Sequence, residues 1–392
     1  MTSPQSPRFH ADSIEEVSDR PDLKSGSMTS FVESCIAASA DSAHKVARAT
    51  RGKPTAHKLI KLLSDKKRVL ITTHMHPDPD ALATCVGVRA LIQHALPNVK
   101  IVVSIKGQFG GGLNQGFARL SNLQLEPWDD AGLVNFDAII LCDVQPSFAY
   151  SPLPPTVMPL AVIDHHSARG RPPHVPFCDV RTNVGAAASI AFSYLMELEV
   201  PIDPTMAATL LYAIESDLAG AAGQPGELDN IALSSLTLRA DPRKLNEMRY
   251  APLPAEFFST MHRGLSEATI ASPLLFTFLG PVNTPEMPAV IADYLLRLDN
   301  VDWVLVAALH NGRLVLSLRT RSKQSAGEMM KQLLRKIGDG GGHRTKAGGY
   351  VALENASAAE IERIRKTLRR RLIKLLNLPV DVRFQKLVTT QS

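Results

Sequence analysis

Cysteine is scarce in this chain: four in 392 residues (Cys35, Cys85, Cys142 and Cys178), with no C-x-x-C pair among them. That excludes a disulfide framework and a thiolate zinc site, and it fits a reducing compartment, with the cytoplasm as the expected location. No uninterrupted apolar run approaches the ~20 residues a membrane-spanning helix needs, so no membrane partner is expected. A strong charge bias is also missing. Forty-three Lys and Arg against 38 Asp and Glu leave a formal net charge of +5, which suits a polyanionic ligand without establishing one. The sequence contains no internal repeat.

What remains is ordinary globular text, 45% hydrophobic and 21% charged, long enough for two or three domains at ~150 residues each. Residues 1–29 are rich in Ser, Pro and Asp without apolar period and are predicted to form a disordered tail. They lack the apolar core of a secretory signal, and Glu15, Glu16 and Asp19 argue against a mitochondrial presequence. A helical extension is expected over 30–65. Between 66 and 240, apolar runs at Val69–Thr73, Lys100–Ile105, Phe136–Asp143 and Pro159–Asp164 alternate with helical text such as Asp80–His94. Such continuous runs separated by helices predict an open, doubly wound α/β domain whose parallel strands are covered on both faces. Further helices are expected near 186–198, 204–216 and 227–238.

Pro242, Pro252 and Pro254 break residues 241–272, which read as a helical linker. A second α/β pattern fills 273–392, with strands at 274–279, 301–309 and 313–320 and helices at 285–298 and 325–337. Asn311-Gly312 between two strand runs is a hairpin signal. The glycine run Gly340–Gly342 is expected as a turn, followed by a short strand near 349–353 and a terminal helix opened by a capping box, Ser357 to Glu360.

Ligand-type side chains are densest where the first strand ends: Thr73-His74-Met75-His76-Pro77-Asp78-Pro79-Asp80. In an open parallel sheet, ligands bind beyond the carboxyl ends of the strands. The plain structural alternative is a helix start, with Asp80 as N-cap and Asp78 as a turn residue. Recurrence weighs against it. Asp143 closes a second run, Asp164-His165-His166 a third, and Asp217 ends a helix. Carboxylates mixed with imidazoles and no thiolate suit manganese, magnesium or iron, with zinc remaining open. So many ligands suit two ions sharing a bridging carboxylate. A pair ~3.5–4 Å apart clamps the attacking and leaving oxygens of a phosphoryl displacement, which is hydrolase chemistry.

His74-x-x-x-Asp78-x-Asp80, Asp143 after a strand, Asp164-His165-His166 and Asp217 resemble the ordered motifs of the DHH phosphoesterase family. Gly340-Gly341-Gly342-His343-Arg344, followed by Ala347-Gly348-Gly349, is similar to the glycine-rich signature of that family's DHHA1 domain. The resemblance covers roughly residues 65–355. It implies an N-terminal doubly wound parallel-sheet DHH domain and a smaller C-terminal α/β DHHA1 domain with a mixed sheet. The subgroup it most resembles is the small bacterial oligoribonucleases, or nanoRNases, which also remove phosphate from 3′-phosphoadenosine 5′-phosphate.

Carried over residue by residue, the resemblance implies one Mn(II) held by His74, Asp78 and Asp143. It implies a second held by Asp80, Asp143, His165 and Asp217. His166 is implied to touch the scissile phosphate, and Asp164 to orient its neighbours. Arg319, Gly341, Gly342 and His343 are implied to contact substrate. The expected activity is metal-dependent hydrolysis of phosphoester bonds in short oligonucleotides or small nucleotides. A cyclic or linear dinucleotide phosphodiesterase is the alternative within the enzyme class, and a catalytically idle nucleotide-binding regulator the alternative outside it. Homodimerisation is left open.

Pro79 stands where the family commonly has glycine, Thr84 where serine is frequent, and Asp339 interrupts the glycine run; none removes an implied ligand. His76 reads as a solvent-facing loop residue. Gly107–Gly112 lacks the Lys-Ser/Thr ending of a phosphate loop and reads as a strand-to-helix connection. The basic residues between Arg363 and Lys374 read as a solvated helix face, with a surface for nucleic acid or an acidic partner as the alternative.

Overall fold

The computed structural model describes residues 41–107, 111–148, 150–167, 175–219, 225–342 and 344–388. The expected tail, Cys35, His343 and part of the Gly107–Gly112 run lie outside the described residues.

The first half of the chain builds a five-stranded parallel sheet from β1 (Arg68–Thr72), β2 (Lys100–Val103), β3 (Ala138–Cys142), β4 (Ala161–Asp164) and β5 (Phe177–Val180) in the order β2-β1-β3-β4-β5. Every residue of β3 and β4 is buried, as a sheet covered on both faces requires. The strand order reverses between β1 and β3, which opens a crevice at their carboxyl ends. Strand β5 was not foreseen: Phe177-Cys-Asp-Val180 carries an acid at its third position and is only alternately buried, so it lacks the apolar run of its neighbours.

Helix α1 (Ala56–Leu63) precedes β1. Helix α2 (Pro79–Ala95) follows it and packs against α4 (Ala187–Glu197) and α5 (Pro204–Leu218). Leu82, Leu91 and Ile92 of α2 are fully buried, each contributing ~1.5–3 kcal/mol of transfer free energy before entropy is counted. Helix α3 (Gly111–Leu120) connects β2 towards β3. Helices α6 (Glu227–Thr237), α7 (Pro242–Arg249) and α8 (Ala255–Glu267) lead to the second sheet.

That sheet has seven strands: β6 (Thr269–Ala271), β7 (Leu274–Pro281), β8 (Trp303–His310), β9 (Arg313–Thr320), β10 (Asp339–Gly342), β11 (Lys346–Ala352) and β12 (Gln385–Lys386). Their order is β10-β11-β9-β8-β7-β6-β12, and only β7 and β8 pair in parallel, so the sheet is mixed. Helices α9 (Met287–Leu295), α10 (Ala326–Leu334) and α11 (Ala358–Leu375) cover it. The β8–β9 hairpin turns at Asn311 and Gly312, both left-handed with φ of 47° and 71°, as a two-residue turn of this kind demands.

The glycine run is a strand and not the expected turn. Glycine has low strand propensity, yet Gly340, Gly341 and Gly342 pair in register with Gly349, Gly348 and Ala347. A Cβ on Gly340 would stand 2.7 Å from Met330 Cγ of α10 and 2.8 Å from the Gly348 carbonyl oxygen. Close packing therefore selects glycine here, and tertiary contact overrides local preference.

Candidate metal centre

The sharp turn after β3 builds the centre of the site. Asp143 has φ of 57°, uncommon for a residue with a side chain, and its amide is held by the Ile163 carbonyl of β4 at 2.8 Å. This turn sets a buried carboxylate between the ends of β1, β3 and β4. Asp143 Oδ2 lies 3.6 Å from His74 Nε2, and its Oδ1 lies 3.4 Å from both His165 Nε2 and His166 Nδ1. His165 Nε2 also lies 3.7 Å from Asp80 Oδ2 and 3.5 Å from Asp217 Oδ2. Side chains more than a hundred positions apart in sequence thus meet in one pocket.

Asp78 and Asp80 reverse the roles of the plain structural alternative. Asp78 is the N-cap of α2, accepting from the Ala81 amide at 3.0 Å, and Pro79 occupies the first helical position. Asp80 instead accepts from the Ala187 and Ala188 amides at 2.7 and 2.8 Å. Helix α4 has no side-chain cap of its own at Ala186, so Asp80 caps it from a different helix and sits at its positive end.

Hydrogen bonds fix the imidazoles. His165 Nδ1 faces the Val184 carbonyl at 3.2 Å, which turns Nε2 towards the carboxylates. His166 Nδ1 is 2.8 Å from Asp164 Oδ1, while Asp164 Oδ2 accepts from Gln145 Nε2 at 2.6 Å. Gln145 Nε2 also donates to the His166 carbonyl at 2.9 Å. Asp229 secures the segment carrying Val184, taking the Gly185 and Gly226 amides at 2.6 and 2.7 Å and the Ser189 hydroxyl at 2.6 Å. Sequence reasoning missed Gln145, whose partners lie 19 and 21 positions away, and Asp229, whose local bond to the Gly226 amide is an ordinary helix start while its other partners lie 40 and 44 positions away.

The electrostatics are those of crowded acids. Burial, then the charge of Asp143, pushes Asp80 well above the usual carboxylate range, and the same two causes raise Asp78. Burial also opposes ionisation of Asp143, but His166 and His165 outweigh it and hold Asp143 well below that range. Asp143 Oδ1 is buried and makes no hydrogen bond. An unbonded buried carboxylate oxygen surrounded by further acids and imidazoles is a donor set suited to divalent cations.

Three donor groups have atoms within 4.8 Å of one another: His74, Asp78 and Asp143; Asp80, His165 and Asp217; and Asp143, His165 and His166. His76 belongs to none of them. It is exposed, with Nδ1 3.9 Å from Glu286 Oε1 of the second half.

Across the crevice, β9 and β11 pair Arg319 directly with Lys346, so both side chains leave the same face of the sheet. Lys346 Nζ donates to the Asp217 carbonyl at 2.7 Å, which places that face against the metal centre. Arg319 is largely buried; its Nε donates to Asp293 Oδ1 at 2.5 Å and its Nη1 to the Ser317 hydroxyl at 2.8 Å. Of the two described glycines implied to contact substrate, Gly342 has φ of 151°, and a Cβ there would stand 2.3 Å from the Lys346 carbonyl oxygen. Gly341 differs, since its nearest neighbour would be Lys331 Cε at 3.5 Å, an ordinary contact.

Among the described residues, no helix is long and apolar enough to cross a membrane.

The fold and donor groups define a two-domain α/β protein with a candidate metal centre at a topological switch point. The chain matches the family model "DHH family, N-terminal domain" over residues 68–214 and the "DHHA1 domain" model over residues 272–374. The chain thus carries a DHH-family N-terminal domain followed by a DHHA1 domain. An uncharacterized protein of Methanocaldococcus jannaschii is 27% identical over 305 residues, which is 77% of this chain and 62% of that protein. The chain therefore spans less than two thirds of that relative. Among solved structures, an exopolyphosphatase-related protein from Bacteroides fragilis superposes with a TM-score of 0.65 at 16% identity, covering 83% of this chain and 99% of that one. This likeness is one of fold. RecJ from Thermus thermophilus, solved with Mn2+, matches with a TM-score of 0.46 at 14% identity over 88% of this chain and 56% of that chain.

Proposed function

We propose that this protein is a metal-dependent phosphohydrolase acting on short oligonucleotides or small nucleotides, of the oligoribonuclease or 3′-phosphoadenosine 5′-phosphate phosphatase type. The observation that carries the reading is the convergence of three donor groups on shared residues, with Asp143 and His165 each serving two of them. His74, Asp78 and Asp143 would hold one ion, and Asp80, Asp143, His165 and Asp217 the other, with manganese the favoured metal. Bound there, the cations supply Lewis acidity at the phosphoryl oxygens and acidify a water molecule.

The remaining work falls to the protein's own groups. Asp143 and His165 bring the two donor sets together. His166 turns Nδ1 to the buried Asp164, so its Nε2 is the nitrogen that meets substrate, where it neutralises developing charge or protonates the leaving oxygen. Gln145 keeps Asp164 in place. Arg319, with Nε anchored on Asp293, grips a substrate phosphate from the second domain, and the missing side chain at Gly341 lets the backbone approach it. Gly342 belongs to the same phosphate-binding strip, and His343, outside the described residues, is assigned to substrate by the resemblance alone.

The test is hydrolysis with Mn(II) of a dinucleotide ladder, 3′-phosphoadenosine 5′-phosphate and cyclic dinucleotides side by side, alongside Asp143→Ala and His165→Ala. Turnover of the first two substrate classes, abolished in both variants, is expected. Preference for cyclic dinucleotides would move the substrate assignment, and equal inertness of wild type and variants would refute the enzyme reading.

A further inference from the structure

Lys346 is the first residue of β11, in the second domain, yet its hydrogen bonds go to the first. Nζ donates to the Asp217 carbonyl at 2.7 Å, reaches the Ser216 carbonyl at 3.5 Å and lies 3.4 Å from Asp217 Oδ1. Both carbonyls belong to the last turn of α5, where the helix dipole is negative, and that turn has no basic side chain of its own. The cation that a helix end favours is thus provided by the other domain. Its contact with Oδ1 leaves Asp217 Oδ2 on the side facing His165 Nε2, 3.5 Å away. Lys346 is only a quarter exposed, and β11 is fixed against β9 and β10 on its two sides, so the ammonium is delivered by a rigid element.

We infer that Lys346 is a positioning residue that fastens the end of α5 to the second domain and thereby orients Asp217 within the metal centre. The inference rests on the reading of Asp217 as a metal ligand. It gives the second domain a role beyond phosphate grip: with β11 docked on the end of α5, the Lys346 ammonium holds the Asp217 carbonyl and Oδ1, and without that ammonium Asp217 is held less firmly towards His165. Docking of the second domain and affinity for one of the two ions are therefore linked.

The experiment uses the full chain and Mn(II) alone, without nucleotide. Wild type, Lys346→Ala, Lys346→Arg and Asp217→Ala are compared by manganese titration followed by electron paramagnetic resonance, and by amide hydrogen exchange of the metal-free proteins. Lys346→Ala is expected to weaken one of two Mn(II) ions roughly tenfold, the low end of the range for losing a partner that orients a metal ligand. It should also speed exchange in the last turn of α5 and in β10–β11, leaving β1 and β3 unchanged. Lys346→Arg should restore both readouts, which a merely structural role for the lysine stem would not require. Wild-type manganese affinity in Lys346→Ala overturns the inference, whether or not exchange quickens. If Asp217→Ala itself binds two ions with wild-type affinity, the ligand reading of Asp217 fails and the inference falls with it, while the exchange data report separately whether the domains are fastened there.

Discussion

His166 Nδ1 lies 2.8 Å from Asp164 Oδ1, and the other oxygen of that fully buried carboxylate accepts a 2.6 Å hydrogen bond from Gln145 Nε2. The chain Gln145–Asp164–His166 fixes which imidazole nitrogen faces the crevice. Replacing Gln145 by Leu leaves Asp164 Oδ2 and the His166 carbonyl without this donor, at a cost of ~1–3 kcal/mol for a buried acceptor. Gln145→Leu should therefore lower the denaturation midpoint and reduce kcat more than it raises KM. Wild-type kcat in a destabilised variant would show that His166 is oriented by something else.

Shared donors predict unequal losses of metal. Asp143 belongs to two of the three donor groups and His74 to one. Asp143→Ala should bind neither ion tightly, whereas His74→Ala should retain one, as counted by isothermal titration with Mn(II). Because a ligand that binds only the folded state stabilises it, by ~2.7 kcal/mol at a hundredfold excess over Kd, manganese should raise the melting temperature of wild type and a chelator should reverse the shift. The Asp143→Ala protein should show no such response. Two ions bound to that variant would remove the bridging role.

The second domain's grip separates from metal binding in the same way. A charge-assisted hydrogen bond is worth ~1.5–3 kcal/mol, so Arg319→Ala should raise KM about tenfold or more for nucleotide substrates while manganese affinity is unchanged. Gly341→Ala is the sharper probe. The added Cβ meets only Lys331 Cε, at 3.5 Å, so folding stability should be kept and any rise in KM reports substrate at that strip. Unchanged KM in both variants would place the phosphate elsewhere.

Much of this architecture was legible because four of the five parallel strands lie in apolar runs, two of them, β3 and β4, ended by acids. Asp143 and Asp164 stop β3 and β4 in the text as they do in space, and the doubly wound class follows from that alternation. Less was legible where structure depends on distant partners. The sequence places Asp80 at a helix start, but its amide donors, Ala187 and Ala188, lie 107 and 108 positions away. Nothing in the sequence singles out Lys346, which β11 sets against α5, 129 positions back. Strand β10 violates local propensity outright, since glycine there is selected by the approach of Met330 and by the neighbouring strand.

Glu286, at the start of α9, carries a prediction in pH. Its side chain is mostly buried, neither carboxylate oxygen is hydrogen-bonded to another residue, His76 Nδ1 lies 3.9 Å from Oε1, and the charge of His310 only partly offsets the burial. Burial pushes its pKa above the usual glutamate value. A carboxyl that binds its proton more tightly when folded contributes stability below its unfolded pKa and loses it as pH rises through the folded value. The wild type should therefore give up stability on going from about pH 4 to pH 7 through this group. Gln cannot ionise and fills nearly the same volume, so Glu286→Gln should melt higher than wild type at pH 7, with the difference closing towards pH 4. Melting curves of the two proteins across that range decide the matter: an offset that does not change with pH, zero included, would mean that folding leaves the Glu286 pKa at its unfolded value and would overturn the prediction.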